Sequence, residues 1–203
     1  MDSRRSPDDH TPDLISTKIV VAGGFGAGKT TLVGAVSEIP PVTTEAVMTQ
    51  ASEGVDDLDD TPDKSTTTVA MDFGRLTLDR DLILYLFGTP GQARFWFLWD
   101  DLVRGALGAV VLVDSRRLAD CFPVVDYFEL HTDIPFVVAL NTFDGAQPHT
   151  PEEVREALSL SPGIPVLTCD ARDPEAAART LAQVVMHALA RKREQETVQF
   201  AAY

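Results

Sequence analysis

The residues Gly23-Gly24-Phe25-Gly26-Ala27-Gly28-Lys29-Thr30-Thr31 form the segment of the sequence best equipped for chemistry. They match G-x-x-x-x-G-K-[ST] between a short apolar run and a helical pattern. Glycines let backbone N–H groups close round an anion, and the N-terminus of the following helix adds positive dipole. Lys29 is placed to reach β- and γ-phosphates, and the Thr30 hydroxyl is a hard oxygen ligand for Mg²⁺. An ordinary glycine-rich strand–helix turn would not need the lysine and the hydroxyl together. The pattern predicts a nucleotide phosphate site.

Further elements follow at spaced intervals. Gly88-Thr89-Pro90-Gly91-Gln92 comes directly after an apolar run. Asn141-Thr142-Phe143-Asp144 follows another, and Thr168-Cys169-Asp170-Ala171 follows the last. Thr68-Val69-Ala70-Met71-Asp72-Phe73 precedes the first of them. In this order, over residues 18 to 190, the set resembles the Ras superfamily of small GTPases. The run from Asp72 to Phe97 is also similar to the actinobacterial conservon-encoded, MglA-related bacterial small GTPases.

The resemblance implies a role for each match. The Gly91 amide would meet the γ-phosphate and Gln92 would orient the attacking water. Asn141 and Asp144 would read guanine, because adenine lacks the donors that Asp144 accepts. A backbone N–H among Cys169, Asp170 and Ala171 would contact guanine O6. Thr68 would join Thr30 on Mg²⁺ beside Lys29. Apart from the resemblance, Arg94 lies two residues past Gln92, within reach of charge on the transferred phosphoryl group, although a solvated surface arginine is the plainer alternative. Bound GTP or GDP, a roadblock/LC7-type regulator and a sensor-kinase-like membrane protein are the partners that the resemblance brings.

Three positions depart from the family pattern. Gly88 stands where an aspartate usually holds Mg²⁺ through water, which leaves Asp72 as a candidate carboxylate. Phe25 replaces a glycine beside the γ-phosphate, which predicts crowding of an arginine supplied in trans and slow turnover. Thr142 replaces the lysine whose stem packs along the nucleotide.

These residues need a scaffold that brings distant loops to one edge. Near-continuous apolar runs at 19–22, 82–87, 109–113, 136–140 and 165–167 read as strands buried on both faces of a parallel sheet. Helical patterns fall between them. Thr150-Pro151-Glu152-Glu153 and Asp173-Pro174-Glu175 each offer a cap, a proline at the first position and acids in the first turn. The second opens a helix expected to run to about Arg193. Residues 66–73 and 82–87 are too close for a helical crossover and read as an antiparallel hairpin at the sheet edge. The expected fold is an α/β P-loop NTPase G domain: a mostly parallel six-stranded sheet, one antiparallel edge hairpin, and helices on both faces. Its expected extent is 17–195, between an N-terminal tail of residues 1–16 and a C-terminal tail of 196–203.

Residues 40–65 read as a long loop, proline- and threonine-rich and then acidic from Glu53 to Asp63. The five large apolar residues from Phe95 to Trp99 cannot all face inward on a helix, so one or two are expected at the surface. Asp114 is expected to order a turn rather than bind metal.

Composition bounds the reading. The chain has 203 residues with 44% hydrophobic and 24% charged, which fits one globular domain. A net charge of −14 argues against nucleic acid or an anionic membrane surface as partner. Two cysteines make no disulfide framework, and no apolar run suits a signal peptide or membrane insertion, so a cytoplasmic protein is expected, recruited to a membrane only through a partner. Four lysines against thirteen arginines, with many alanines, point to a high-GC bacterial or salt-adapted source. A GTP-hydrolysing switch is the leading reading. A binding module with negligible hydrolysis and a P-loop ATPase stand beside it.

Overall fold

The structure is a computed structural model that describes residues 15–40, 42–49, 66–79, 81–143 and 149–201. Asp144 and the acidic stretch 53–63 lie outside the described residues.

Seven strands form one sheet: β1 (Ile15–Gly23), β2 (Val42–Thr49), β3 (Thr66–Asp79), β4 (Leu82–Gly88), β5 (Gly108–Asp114), β6 (Phe136–Asn141) and β7 (Val166–Cys169). Their order is β2-β3-β4-β1-β5-β6-β7. The five strands from β4 to β7 in that order are parallel, and β3 and β2 continue antiparallel on one side. The mostly parallel sheet and its antiparallel flank are as the sequence predicts. The strand count is seven rather than six because residues 42–49, read as loop, pair with β3 along their whole length. Five β-branched residues, Val42, Thr43, Thr44, Val47 and Thr49, make that stretch a good strand, and the flanking prolines and acids masked it. β3 also runs to Asp79, so the hairpin turn is much tighter than the predicted 75–81 connection.

Helices α1 (Lys29–Val36), α2 (Trp99–Val103), α3 (Phe122–His131), α4 (Pro151–Ala157) and α5 (Pro174–Ala201) cover the faces. Alternate residues of the central strands divide between two apolar clusters. Val20, Val111, Val138 and Leu140 pack against α2, α3 and α4, while Val21, Val110, Leu112 and Ala139 pack against α1 and α5. The caps form as expected. Thr150 Oγ1 accepts the Glu153 N–H and the Glu153 carboxylate accepts the Thr150 N–H. Asp173 Oδ1 accepts the Glu175 N–H at 3.0 Å. α5 continues to Ala201, well past the expected close near Arg193 and through most of the expected tail. No helix among the described residues is long and apolar enough to cross a membrane.

Candidate functional site

The chain leaves β1 between two parallel neighbours, β4 on one side and β5 on the other. Such a reversal of strand order opens a crevice at the carboxyl ends of the strands, and the loop of residues 23–28 fills it. Left-handed φ angles of 75° at Gly26 and 102° at Gly28 curl that loop into α1. A side chain at Gly28 would also put its Cβ 2.6 Å from Asn141 Nδ2.

Lys29 is 8% exposed, and its Nζ donates to the carbonyls of Gly23 at 2.9 Å and Gly24 at 2.8 Å. Burial drives its pKa down to about 8, against the opposing pull of the Asp72 carboxylate. The loop after β4 closes on this amine. A Cβ at Gly91 would lie 2.7 Å from Lys29 Nζ and 2.9 Å from Phe25 Cα. Gln92 follows, exposed, at the start of a 3₁₀ turn of residues Ala93–Leu98. Phe25 stands 65% exposed on the rim. The side chains of Arg94 and Thr68 lie outside the described residues.

Gly88 of β4 is paired directly with Asp72 of β3, and a Cβ at 88 would sit 2.9 Å from Asp72 Cβ and Oδ2. The missing side chain on one strand therefore makes room for a carboxylate from the next. Asp72 is buried, and its Oδ2 accepts the Thr30 hydroxyl at 2.6 Å. Among the described residues, no three His, Cys, Asp or Glu side chains are grouped to hold a metal. A hydroxyl and one carboxylate beside a phosphate cradle nevertheless fit Mg²⁺, which binds through one or two protein oxygens and fills its shell with water and phosphate. The structure does not bring Thr68 to this pair. Thr68 lies in β3 opposite Val47, four residues and about 13 Å of strand from Asp72.

On the other flank, Asn141 is 3% exposed and joins two loops. Its Nδ2 donates to the Ala27 carbonyl at 2.9 Å and its Oδ1 accepts the Ala171 N–H at 3.0 Å. The Thr142 N–H donates to the Cys169 carbonyl at 2.8 Å. Residues 141–142 and 169–171 are thereby brought together behind the P-loop. Cys169 is buried, which raises its thiol pKa, and the Asp170 carboxylate is held below its usual range by Arg172. Asp114 orders a turn, accepting the Arg116 N–H and pairing with its guanidinium, which covers the Phe143 ring at 3.6 Å.

Trp99 is a positioning residue that the sequence did not single out. It is fully buried and its Nε1 donates to the Pro90 carbonyl at 3.2 Å, which ties the 88–92 loop to the core. The aromatic run divides as expected, with Phe95 and Trp99 buried and Phe97 59% exposed. Only the run itself could have signalled the Trp99 bond, because the indole donor of a buried tryptophan nearly always finds a partner.

Comparison with known proteins agrees with this geometry. At 32% identity over 101 residues, the chain is similar to the uncharacterized protein MJ1339 of Methanocaldococcus jannaschii, the match covering 49% of this chain and 52% of that protein. The chain thus spans about half the length of the curated relative it matches. Among solved structures, it is similar to the Arl6 BBS3 small GTPase of Trypanosoma brucei with bound GppNp, with a TM-score of 0.62 at 18% identity, covering 86% of this chain and 98% of that one. The cytosolic domain of the FeoB iron transporter of T. maritima in a GDP form gives a TM-score of 0.61 at 19% identity, covering 87% of this chain and 65% of that one. At these identities the likeness is one of fold. The family described as conserved hypothetical ATP binding protein matches residues 21–191, nearly all of the sheet and the whole phosphate cradle. The chain belongs to that family, and it carries its nucleotide-binding P-loop on the fold of the small GTPases.

Proposed function

We propose that the chain is a GTP/GDP switch that hydrolyses GTP slowly. The observation that carries this reading is the packing of Gly91 on Lys29 Nζ. A γ-phosphate drawn to that amine must meet the Gly91 backbone, so its presence or loss is felt directly by the 88–98 segment. The P-loop amides and Lys29 hold the phosphates, and Gln92 positions a water for in-line attack. Thr30 and Asp72 hold Mg²⁺, which supplies charge neutralisation at the phosphate oxygens. Thr68 joins them only when the β2–β3 pairs at Thr66, Thr67 and Thr68 open, which makes the end of that hairpin the first switch segment. Arg94 is the further cation of the site.

Guanine is favoured as the base by Asn141-x-x-Asp144, with Asn141 fixed against both neighbouring loops. The Ala171 N–H is already bonded to Asn141, so the backbone of Cys169 and Asp170 is assigned the contact to guanine O6. ATP is the second reading, favoured by the description of the family. By resemblance to the conservon-encoded, MglA-related GTPases, the regulators are a roadblock/LC7-type protein and a sensor-kinase-like membrane protein, and the setting is the cytoplasm.

Competition of GTP and ATP against a fluorescent GDP analogue tests the base. GTP is expected to displace the analogue at far lower concentration, and equal displacement by ATP would transfer the assignment to adenine. Single-turnover phosphate release tests the chemistry: Gln92→Leu is expected to slow it about 10²-fold or more with binding unchanged. No release from the wild-type chain would leave a nucleotide-dependent binding module.

A further inference from the structure

β5 ends in a carboxylate that organises the turn after it. Asp114 is buried, and its Oδ1 accepts the Arg116 backbone N–H at 2.9 Å and the Arg116 Nε–H at 3.0 Å. Its Oδ2 accepts from Arg116 Nη2 at 2.9 Å. This is the two-point fork of a guanidinium on a carboxylate, with a third bond from the backbone, and it fixes the plane of the guanidinium. The same hydrogen bonds hold the Asp114 carboxyl below its usual range.

The fixed plane meets a ring. The guanidinium carbon lies 3.6 Å from the centroid of Phe143. An approach in the plane of the ring at that distance would overlap the ring edge, so the guanidinium covers a face. Arginine can do both at once because its flat, weakly hydrated head stacks on a ring while its edge stays on the carboxylate. A lysine ammonium has neither the fork nor the face. The Arg116 side chain is also 52% exposed, so water screens its charge and the contact acts mainly by stacking.

The ring belongs to the element assigned to the base. Phe143 is the third residue of Asn141-Thr142-Phe143-Asp144. The first is fixed by its bonds to Ala27 and Ala171, and the second by its N–H on the Cys169 carbonyl at 2.8 Å. The Thr142 hydroxyl reaches that carbonyl only at 3.5 Å, the weak end of the hydrogen-bond range. β6 itself ends at Asn141, where it pairs directly with Asp114 of β5. Asp114 therefore anchors Arg116 at the end of the neighbouring strand, and Arg116 holds the ring two residues beyond the end of β6.

We infer that Arg116 is a positioning residue for guanine recognition: pinned by Asp114, it stacks on Phe143 and sets the Asn141–Asp144 element against the base. The inference rests on the guanine reading of that element. The phosphates are held elsewhere, by the P-loop and Lys29, so loss of the stack is felt through the base. Adenine offers the element none of the donors that guanine does, and binding of an adenine nucleotide should not change.

Competition of GDP and ADP against a fluorescent GDP analogue tests this on the full chain, read as the ratio of the ADP to the GDP dissociation constant. Thermal unfolding confirms that each variant folds. Arg116→Ala is expected to lower the ratio about tenfold, through weaker GDP binding with ADP binding unchanged. That variant leaves the buried Asp114 without its partner, so Phe143→Leu, which keeps the ion pair, is measured beside it and is expected to lower the ratio alike. The double variant is expected to be no worse than either single one, because both remove one contact. Arg116→Lys is expected to behave as Arg116→Ala. Recovery of the ratio by lysine would assign the effect to charge and overturn the inference. So would single variants that keep the wild-type ratio, single variants that lose GDP and ADP equally, or a double variant whose losses add. A wild-type ratio near one is a different failure: it overturns the guanine reading, and the inference falls with it.

Discussion

Lys29 is a cation held where a cation is costly. Its amine is buried among P-loop carbonyls, and desolvation lowers its pKa from 10.5 to about 8 although Asp72 pulls the other way. The sign of the consequence follows from linkage. A lysine depressed in the folded state binds fewer protons there than in the unfolded chain between about pH 8 and pH 10.5, so the ligand-free protein gains stability as pH rises through that window. Phosphate binding selects the charged amine and therefore takes up a proton in the same window. Affinity for GDP is expected to be flat below about pH 8 and to fall above it, by at most about tenfold per pH unit. Fluorescence titration at fixed Mg²⁺ reads this directly. A profile that stays flat to pH 10 in the wild-type chain counts against a lysine that must be charged to hold the phosphate. The residue is legible in the sequence because its neighbours in the cradle are its neighbours in the chain.

Between elements, legibility depends on register. Asn141 was readable as a site residue by its spacing, but its bonds to Ala27 and Ala171 join segments more than a hundred and about thirty residues away. β2 was hidden because local composition spoke for a loop, and strand pairing is settled by the partner strand rather than by the segment. The sequence raised Asp72 as a substitute carboxylate; only the pairing of β3 with β4 shows that Asp72 and Gly88 compete for one volume. That competition predicts an exchange. Asp72→Gly should cost about tenfold or more in Mg²⁺-dependent nucleotide affinity, because Thr30 is left as the sole described protein oxygen at the metal position. Gly88→Asp alone should destabilise the fold by about 1–3 kcal/mol, since it drives a second carboxylate onto a buried one. The double exchange, Asp72→Gly with Gly88→Asp, returns one carboxylate to the same pocket from the other strand and should recover most of the Mg²⁺ dependence. Magnesium titrations of nucleotide binding and urea unfolding check the three variants. A double variant no better than Asp72→Gly would show that the carboxylate must come from β3.

At the scale of the molecule, an acidic chain with a net charge of −14 offers an anion backbone dipoles and one buried lysine rather than a basic surface. The described site lines the P-loop crevice with glycine amides, the N-terminus of α1 and one lysine, while the buried Asp72 carboxylate beside it accepts the Thr30 hydroxyl. The loops that meet there come from β1, β4, β6 and β7, which span both apolar clusters. A nucleotide bound among them therefore braces both faces of the sheet at once. At a hundred times its Kd, such a ligand adds about 2.7 kcal/mol to stability. For a domain near 200 residues, each kcal/mol raises Tm by about 2–4 °C, so GDP with Mg²⁺ is expected to raise it by about 5–11 °C. The two clusters share the central strands β1, β5 and β6, so the melt should stay a single transition that moves as a whole. ATP at the same concentration should move it less, and Lys29→Met should abolish the shift for every nucleotide. Scanning calorimetry decides the matter: a second transition that ignores the ligand would mean that only one face of the sheet is braced by the site.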